Sequence, residues 1–77
     1  MTFKELFPEF ISGTPIKRKT WGGYWKYNPR VKNIEMYTKD NTVVLLTATE
    51  DILFTLSGIL ADDWEVATSG NCVIAVN

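Results

Sequence analysis

Phe3, Leu6, Phe7, Phe10 and Ile11 recur at the three- and four-residue spacing of one helical face. Thr2 and Glu5, three residues apart, match a capping box at the start of that run, and Gly13 is a suitable helix stop. Pro8 lies inside the run and removes a backbone donor, so a kink is expected there. From Pro15 the period falls to two. Ile16 and Arg18 alternate with Lys17 and Lys19, as in a half-buried strand. Trp21-Gly22-Gly23-Tyr24 reads as a turn, its glycines supplying positive φ or admitting another backbone or a ligand at close range. Tyr24 to Asn28 is a second strand ended by Pro29, with Tyr24, Lys26 and Asn28 on one face and Trp25 and Tyr27 on the other. Asn33 to Thr38 turns Ile34 and Met36 inward and Glu35 and Tyr37 outward. Asp40-Asn41 is a hairpin turn, from which Thr42 to Leu46 returns.

Val43-Val44-Leu45-Leu46 does not alternate, and a strand apolar on both sides is covered on both sides. The cover is either a neighbouring subunit or the chain's own helices. Thr49-Glu50-Asp51 opens a second helix with a cap and acids in its first turn. Ile52, Leu53, Leu56, Ile59 and Leu60 form its apolar face, and Gly58 ends or bends it. Trp64-Glu65-Val66 is a short closing strand, and Cys72 to Val76 is a further strand candidate after the Ser69-Gly70-Asn71 turn. The expected fold is α+β. A small antiparallel sheet of about four to five strands packs with an N-terminal helix and a second helix toward the C-terminal half.

The chain of 77 residues is one domain (1–77), small enough that a single core is marginal without extra support. One cysteine and no histidine exclude an internal disulfide and disfavour a zinc site. Self-association is the support that remains. No stretch nears the roughly 20 apolar residues of a membrane helix, and no signal-peptide pattern opens the chain, so a cytoplasmic protein without membrane partners is expected. Net charge is -1, yet six of the eight Lys and Arg lie between Lys17 and Lys32, with no acid among them. That stretch is either a solvated surface or a local field for phosphate. The overall balance argues against binding DNA or RNA polymers.

Without histidine the usual general base is missing. Cys72 sits in an apolar run that favours an inert thiol. Asp51 is accounted for by a helix start and Asp62-Asp63 by a solvated turn. No enzyme, cofactor, metal site or catalytic residue is expected. What remains is Arg18, Trp21, Tyr24, Trp25, Lys26 and Tyr27 around a Gly-Gly turn, flanked by Lys17 and Lys19; Arg18, Trp21, Tyr24, Trp25 and Lys26 are the ligand-binding candidates. Aromatic rings stack on bases, Arg presents a planar fork to phosphate, and glycine N–H groups can form an anion-binding nest. The same tryptophans are equally read as ordinary core or interface anchors.

Phe3-Lys4-Glu5-Leu6, Gly13, Ile16-Lys17-Arg18-Lys19-Thr20-Trp21 and Ile59-Leu60-Ala61-Asp62-Asp63-Trp64-Glu65-Val66 resemble the phage-encoded Thoeris anti-defence protein 2 family. The shared outline is an amphipathic start, an Arg-x-x-Trp step and a closing Leu-Ala-x-Asp-Trp-Glu. It spans residues 2 to 67. The resemblance implies a sponge in the cytoplasm of the infected bacterial host, one that sequesters a cyclic ADP-ribose isomer (the glycocyclic class) without cleaving it. It further implies a homotetramer with pockets at subunit interfaces and, in some members, binding of cyclic dinucleotides. Trp21 carries over as a ligand-stacking residue and Arg18 as a phosphate partner, whereas Trp64 serves the fold. Thr20 stands where members often have Gly, Pro8 stands where a plain helix former is expected, and the match from Tyr24 to Thr49 is loose. The alternative is a small phage protein that inhibits a host protein through its aromatic surface.

Overall fold

The computed structural model describes residues 1–40, 42–49 and 51–72. Helix α1 (Phe3–Ile11) starts with the expected capping box: Glu5 N–H donates to Thr2 Oγ1, and Thr2 N–H donates to the Glu5 carboxylate. It stops as expected too. Gly13 takes φ 112°, its N–H donates to Phe10 O, and Thr14 N–H donates to Glu9 O, the paired bonds of a Schellman end. Pro8 does not divide the helix. Its missing donor affects only the carbonyl of exposed Lys4, which faces solvent.

Strands β1 (Ile16–Arg18), β2 (Tyr24–Asn28), β3 (Asn33–Tyr37), β4 (Val43–Leu45) and β5 (Trp64–Val66) form one antiparallel sheet in the order β4-β3-β2-β1-β5. A single 3₁₀ turn, Leu46–Ala48, leads from β4 toward helix α2 (Ile52–Leu60). Asp51 caps α2 by accepting from Phe54 N–H. Thr38 N–H donates to Thr42 O and closes the β3–β4 hairpin, whose residue Asn41 lies outside the described residues. The strand expected from Cys72 to Val76 also lies outside them, apart from Cys72.

Register decides what each face carries. Trp25 pairs with Ile16 and Met36, Tyr27 with Ile34, and Met36 with Val44, so these side chains share one face. Both helices lie over it. Leu6 and Phe10 of α1 close with Ile16, Trp25 and Trp64 into the buried core. The opposite face carries Lys17 paired with Glu65, Tyr24 with Tyr37, and Lys26 with Glu35. Val43 and Leu45 of the edge strand β4 fall on this second face and stay half-exposed.

One expectation is overturned by the packing. The apolar face read for α2 does not turn inward: Thr55 and Gly58 are its buried residues, Ile59 is half-buried, and Ile52, Leu53, Leu56 and Leu60 are exposed. The reason is space. The Trp21 ring edge lies against Gly58, and Trp64 Nε1 donates to Gly58 O at 2.9 Å, so the helix approaches through its smallest residue. Gly58 therefore does not end α2, which runs on to Leu60; it is the docking point.

The Gly22-Gly23 turn works by close approach and not by positive φ, since only Gly13 and Lys32 have positive φ among the described residues. A Cβ on Gly23 would collide with the Tyr37 carbonyl, which is backbone and cannot swing away. Gly23→Ala should therefore lower stability by about 3 kcal/mol or more. Gly70→Ala, where the nearest atom would lie 3.6 Å from the new Cβ, should stay within roughly 1 kcal/mol of the parent. Urea midpoints of the two variants against the parent check this.

Candidate functional site

After β1 the chain turns back at Lys19–Gly23, and Trp21 N–H closes that turn by donating to Arg18 O at 3.0 Å. The Trp21 ring is thereby laid over the covered face of the sheet. It meets Trp64 edge-on at 5.1 Å between ring centroids and lies tilted against Trp25 at 5.5 Å; Trp25 and Trp64 are 5.2 Å apart. Trp64 is fully buried and Trp25 nearly so, whereas Trp21 remains half-buried at the margin of the cluster.

That margin is the wall of an open cleft of about 460 Å³, within the range of roughly 300–1,000 Å³ usual for small-molecule sites. Trp21 and Trp25 form the aromatic wall, Met36 and Val44 the sheet floor, and Phe54 and Thr55 of α2 the opposite side. The polar groups around it are Thr20, Thr38, Lys39 and Thr49, with the Gly22-Gly23 backbone passing along the rim. Chemically this is a slot for a flat ring, with hydroxyls and one ammonium within its walls. A second cleft of about 550 Å³ lies between α1 and the far end of β3, lined by Phe7, Phe10, Ile11, Tyr27 and Ile34 with Lys32 and Asn33. Tyr27 of the aromatic cluster lines it, but none of the five ligand-binding candidates does.

The five candidates divide. Trp21 and Trp25 meet at the cleft. Tyr24 lies on the other face of the sheet, 96 % buried and stacked on Tyr37 with centroids 4.7 Å apart and planes 11° apart. Burial, reinforced by the charge of Glu35, pushes the Tyr37 phenol above its ordinary pKa. Lys26 is exposed on that same second face, opposite Glu35. Arg18 is held by Asp63: Nε donates to Oδ1 at 2.7 Å and an NH₂ group to Oδ2 at 3.4 Å. The basic run of the sequence is thus dispersed and not pooled. Lys17, also from that run, is buried with its ammonium on Glu65 at 3.0 Å and on the Lys19 carbonyl at 3.3 Å. Neither Gly22 nor Gly23 has a positive φ, so the left-handed form of an anion-binding nest is not present at this turn.

Lys39 is the one cation on the cleft wall among the described residues, and the sequence reading did not select it. A signal existed. Tyr24 pairs with Tyr37, so the two strands continued outward bring Gly22 against Lys39; a Cβ on Gly22 would lie 2.9 Å from that of Lys39. Phe54 and Thr55 carried no comparable signal, since their position follows from how α2 docks. Among the described residues no group of three or more Cys, Asp or Glu is placed to hold a metal ion. Burial raises the pKa of the Cys72 thiol, the direction of an unreactive sulfur. No helix is long and apolar enough to cross a membrane among the described residues.

No family model, curated protein or solved structure matches the chain.

The Arg18–Asp63 pair has a pH signature. Hydrogen bonding from the guanidinium holds the Asp63 carboxyl below its ordinary value of 3.8 in the folded chain. A lowered folded pKa contributes stability that is full above the unfolded value and is lost as pH falls through the folded one. The parent should melt above Asp63→Asn at pH 7, and that advantage should shrink at an acid pH below the carboxyl's ordinary value. A melting-temperature gap equally wide at both pH values would show that the carboxylate's charge is not what the pair contributes.

Proposed function

We propose that the chain is a non-catalytic sponge that sequesters a cyclic nucleotide signal of the cyclic ADP-ribose class. On this reading it is phage-encoded, works in the cytoplasm of an infected bacterium and withholds the signal from a defence effector. The observation that carries the reading is the cleft between Trp21, Trp25 and Phe54 with Lys39 at its wall. A base can stack on the half-buried Trp21 ring, worth about 1–3 kcal/mol, while the Lys39 ammonium attracts phosphate as a point charge. The motif resemblance from residue 2 to residue 67 supports the same reading and extends it to a homotetramer and, as a further ligand class, to cyclic dinucleotides. Sequestration needs no acid, base or nucleophile at the ligand, and the cleft walls carry no carboxylate, thiol or imidazole among the described residues. Inhibition of a host protein through exposed aromatics is the weaker reading, because Trp25 and Trp64 are interior and Trp21 is half covered.

The test is a thermal-shift panel of cyclic ADP-ribose isomers and cyclic dinucleotides, followed by heat release and mass analysis of whatever bound. A ligand present at a hundred times its Kd stabilises by roughly 2.7 kcal/mol, on the order of 10 °C or more in a domain of this size. It should come back intact. Trp21→Ala and Lys39→Ala should each weaken the binding by roughly 10- to 100-fold without changing the size of the assembly. A panel with no shift, or a ligand returned cleaved, defeats the sponge reading.

A further inference from the structure

The second cleft, of about 550 Å³, lies between α1, the far end of β3 and the 3₁₀ turn after β4, and it shares no lining residue with the Trp21 cleft. Its more buried lining is Phe10, Tyr27 and Ile34; Phe7 and Ile11 of α1, 46 and 48 % exposed, border it with Leu46. The rings are not set as parallel plates. Phe10 and Tyr27 meet with centroids 6.3 Å apart and planes 54° apart, and Phe7 is tilted by 49° against Phe3. Such a surface offers no slot for a flat group. A flexible alkyl chain follows it by rotating about its own bonds and buries apolar surface along its length.

The polar part of the lining is one connected group. Ile34 N–H donates to Asn33 Oδ1 at 2.8 Å, which fixes the orientation of the amide, and Asn33 Nδ2 donates to Thr47 Oγ1 at 2.9 Å. What these bonds leave over is mainly donors. The Thr47 hydroxyl proton, the second Asn33 N–H and the Lys32 ammonium have no acceptor among the described residues, and no carboxylate lines the cleft among them. Lys32 also sits at a conformational cost. Its φ is 51°, the left-handed region that favours glycine and asparagine. The turn would close at lower cost with either of those, so turn closure does not account for a lysine here.

We propose that this cleft binds a medium-chain alkanoate, with its carboxylate on Lys32 and Thr47 and its alkyl chain over Phe10, Tyr27 and Ile34. An ionised carboxylate only accepts hydrogen bonds, which matches a polar end whose spare capacity is N–H and O–H. A neutral headgroup would leave the ammonium without a counter-charge, and a cationic one would meet it with like charge. The site is independent of the nucleotide reading, with which it has no residue in common.

The test titrates the full chain with sodium decanoate, below its micellar concentration and at neutral pH, and follows methyl and amide NMR signals. Saturable shifts are expected at Ile11, Ile34 and Leu46, while the Trp21 indole and the exposed Leu53 and Leu60 methyls stay in place. Decanol and decyltrimethylammonium, which carry the same chain, should bind the parent roughly 5- to 10-fold more weakly than decanoate. Lys32→Asn should melt at or above the parent, because asparagine tolerates the left-handed turn. It should nevertheless bind decanoate roughly 5- to 10-fold more weakly and decanol as the parent does. Lys32→Arg should keep the decanoate affinity within about twofold, since the charge remains. The headgroup comparison on the parent decides the matter if the Lys32 variants do not fold. Decanoate shifts that do not saturate or that centre on α2, decyltrimethylammonium bound as tightly as decanoate, or a folded Lys32→Asn chain with the parent's decanoate affinity would overturn the proposal.

Discussion

The hydrogen bond from Trp64 Nε1 to Gly58 O is the constraint on which the rest of the described arrangement turns. Trp64 is fully buried at the junction of α1, the sheet and α2. An indole N–H in that position needs an acceptor, because a buried donor left unpaired costs about 1–3 kcal/mol. Most carbonyls of the described chain are already used in the helices and ladders. The carbonyl near the end of α2 becomes the acceptor, and reaching it requires the helix to come down on its smallest residue. Gly58 permits that approach, with Trp21 filling the space beside it. Rotating α2 to bury Leu53 or Leu60 would place a branched side chain where Trp21 and Trp64 now meet. The same contact therefore leaves the helix standing off the β3–β4 side of the sheet, which is the cleft, and turns its larger side chains outward.

Charge on the sheet follows a similar logic of local satisfaction. β1 and β5 pair Lys17 with Glu65 and bring Arg18 to Asp63, so two of the cations crowded in the sequence are neutralised by acids 45 and 48 residues away. For Lys17 the pairing is necessary: at 1 % exposure an unpartnered ammonium would carry a large desolvation penalty. Glu65 is also held by Asn71 Nδ2, which ties the segment after β5 back to the sheet. Along the chain the basic run resembles one positive field. In the fold it is dismantled by strand alternation and by antiparallel partners, and the cation that reaches the cleft wall comes from the β3–β4 hairpin instead.

Much of the architecture was legible because it rests on local rules. The Thr2–Glu5 box, the Gly13 stop and the Pro29 strand end each act within a few residues, and each appears where the pattern put it; Ile34 and Met36 do share one face and Glu35 and Tyr37 the other, although β3 is half-buried along its whole length. The failures are of another kind. The inward side of α2 is set by one long-range bond from Trp64, which hydrophobic spacing cannot see. Strand alternation did separate Tyr24 and Lys26 from Trp25 and Tyr27, but it could not tell which of the two faces borders the cleft. Arg18 was read as a phosphate partner, whereas its fork is taken by Asp63, 45 residues away and brought to it by the pairing of β1 with β5. Local rules foresaw the elements; the distribution of charge and the orientation of α2 belong to the tertiary contacts.

The energetic consequence concerns a core of five buried side chains under two short helices. Leu6, Phe10, Ile16, Trp25 and Trp64 are large and well matched, but a domain of 77 residues buries only about 60 % of the surface its unfolded chain exposes. Against that modest interior, α2 leaves more bulky apolar side chains outside the core than it places within it. Burying them inside one chain would demand the rotation that the Trp64 bond forbids. The aromatic cluster that shapes the cleft and the outward apolar stripe of α2 are thus two consequences of the way α2 docks.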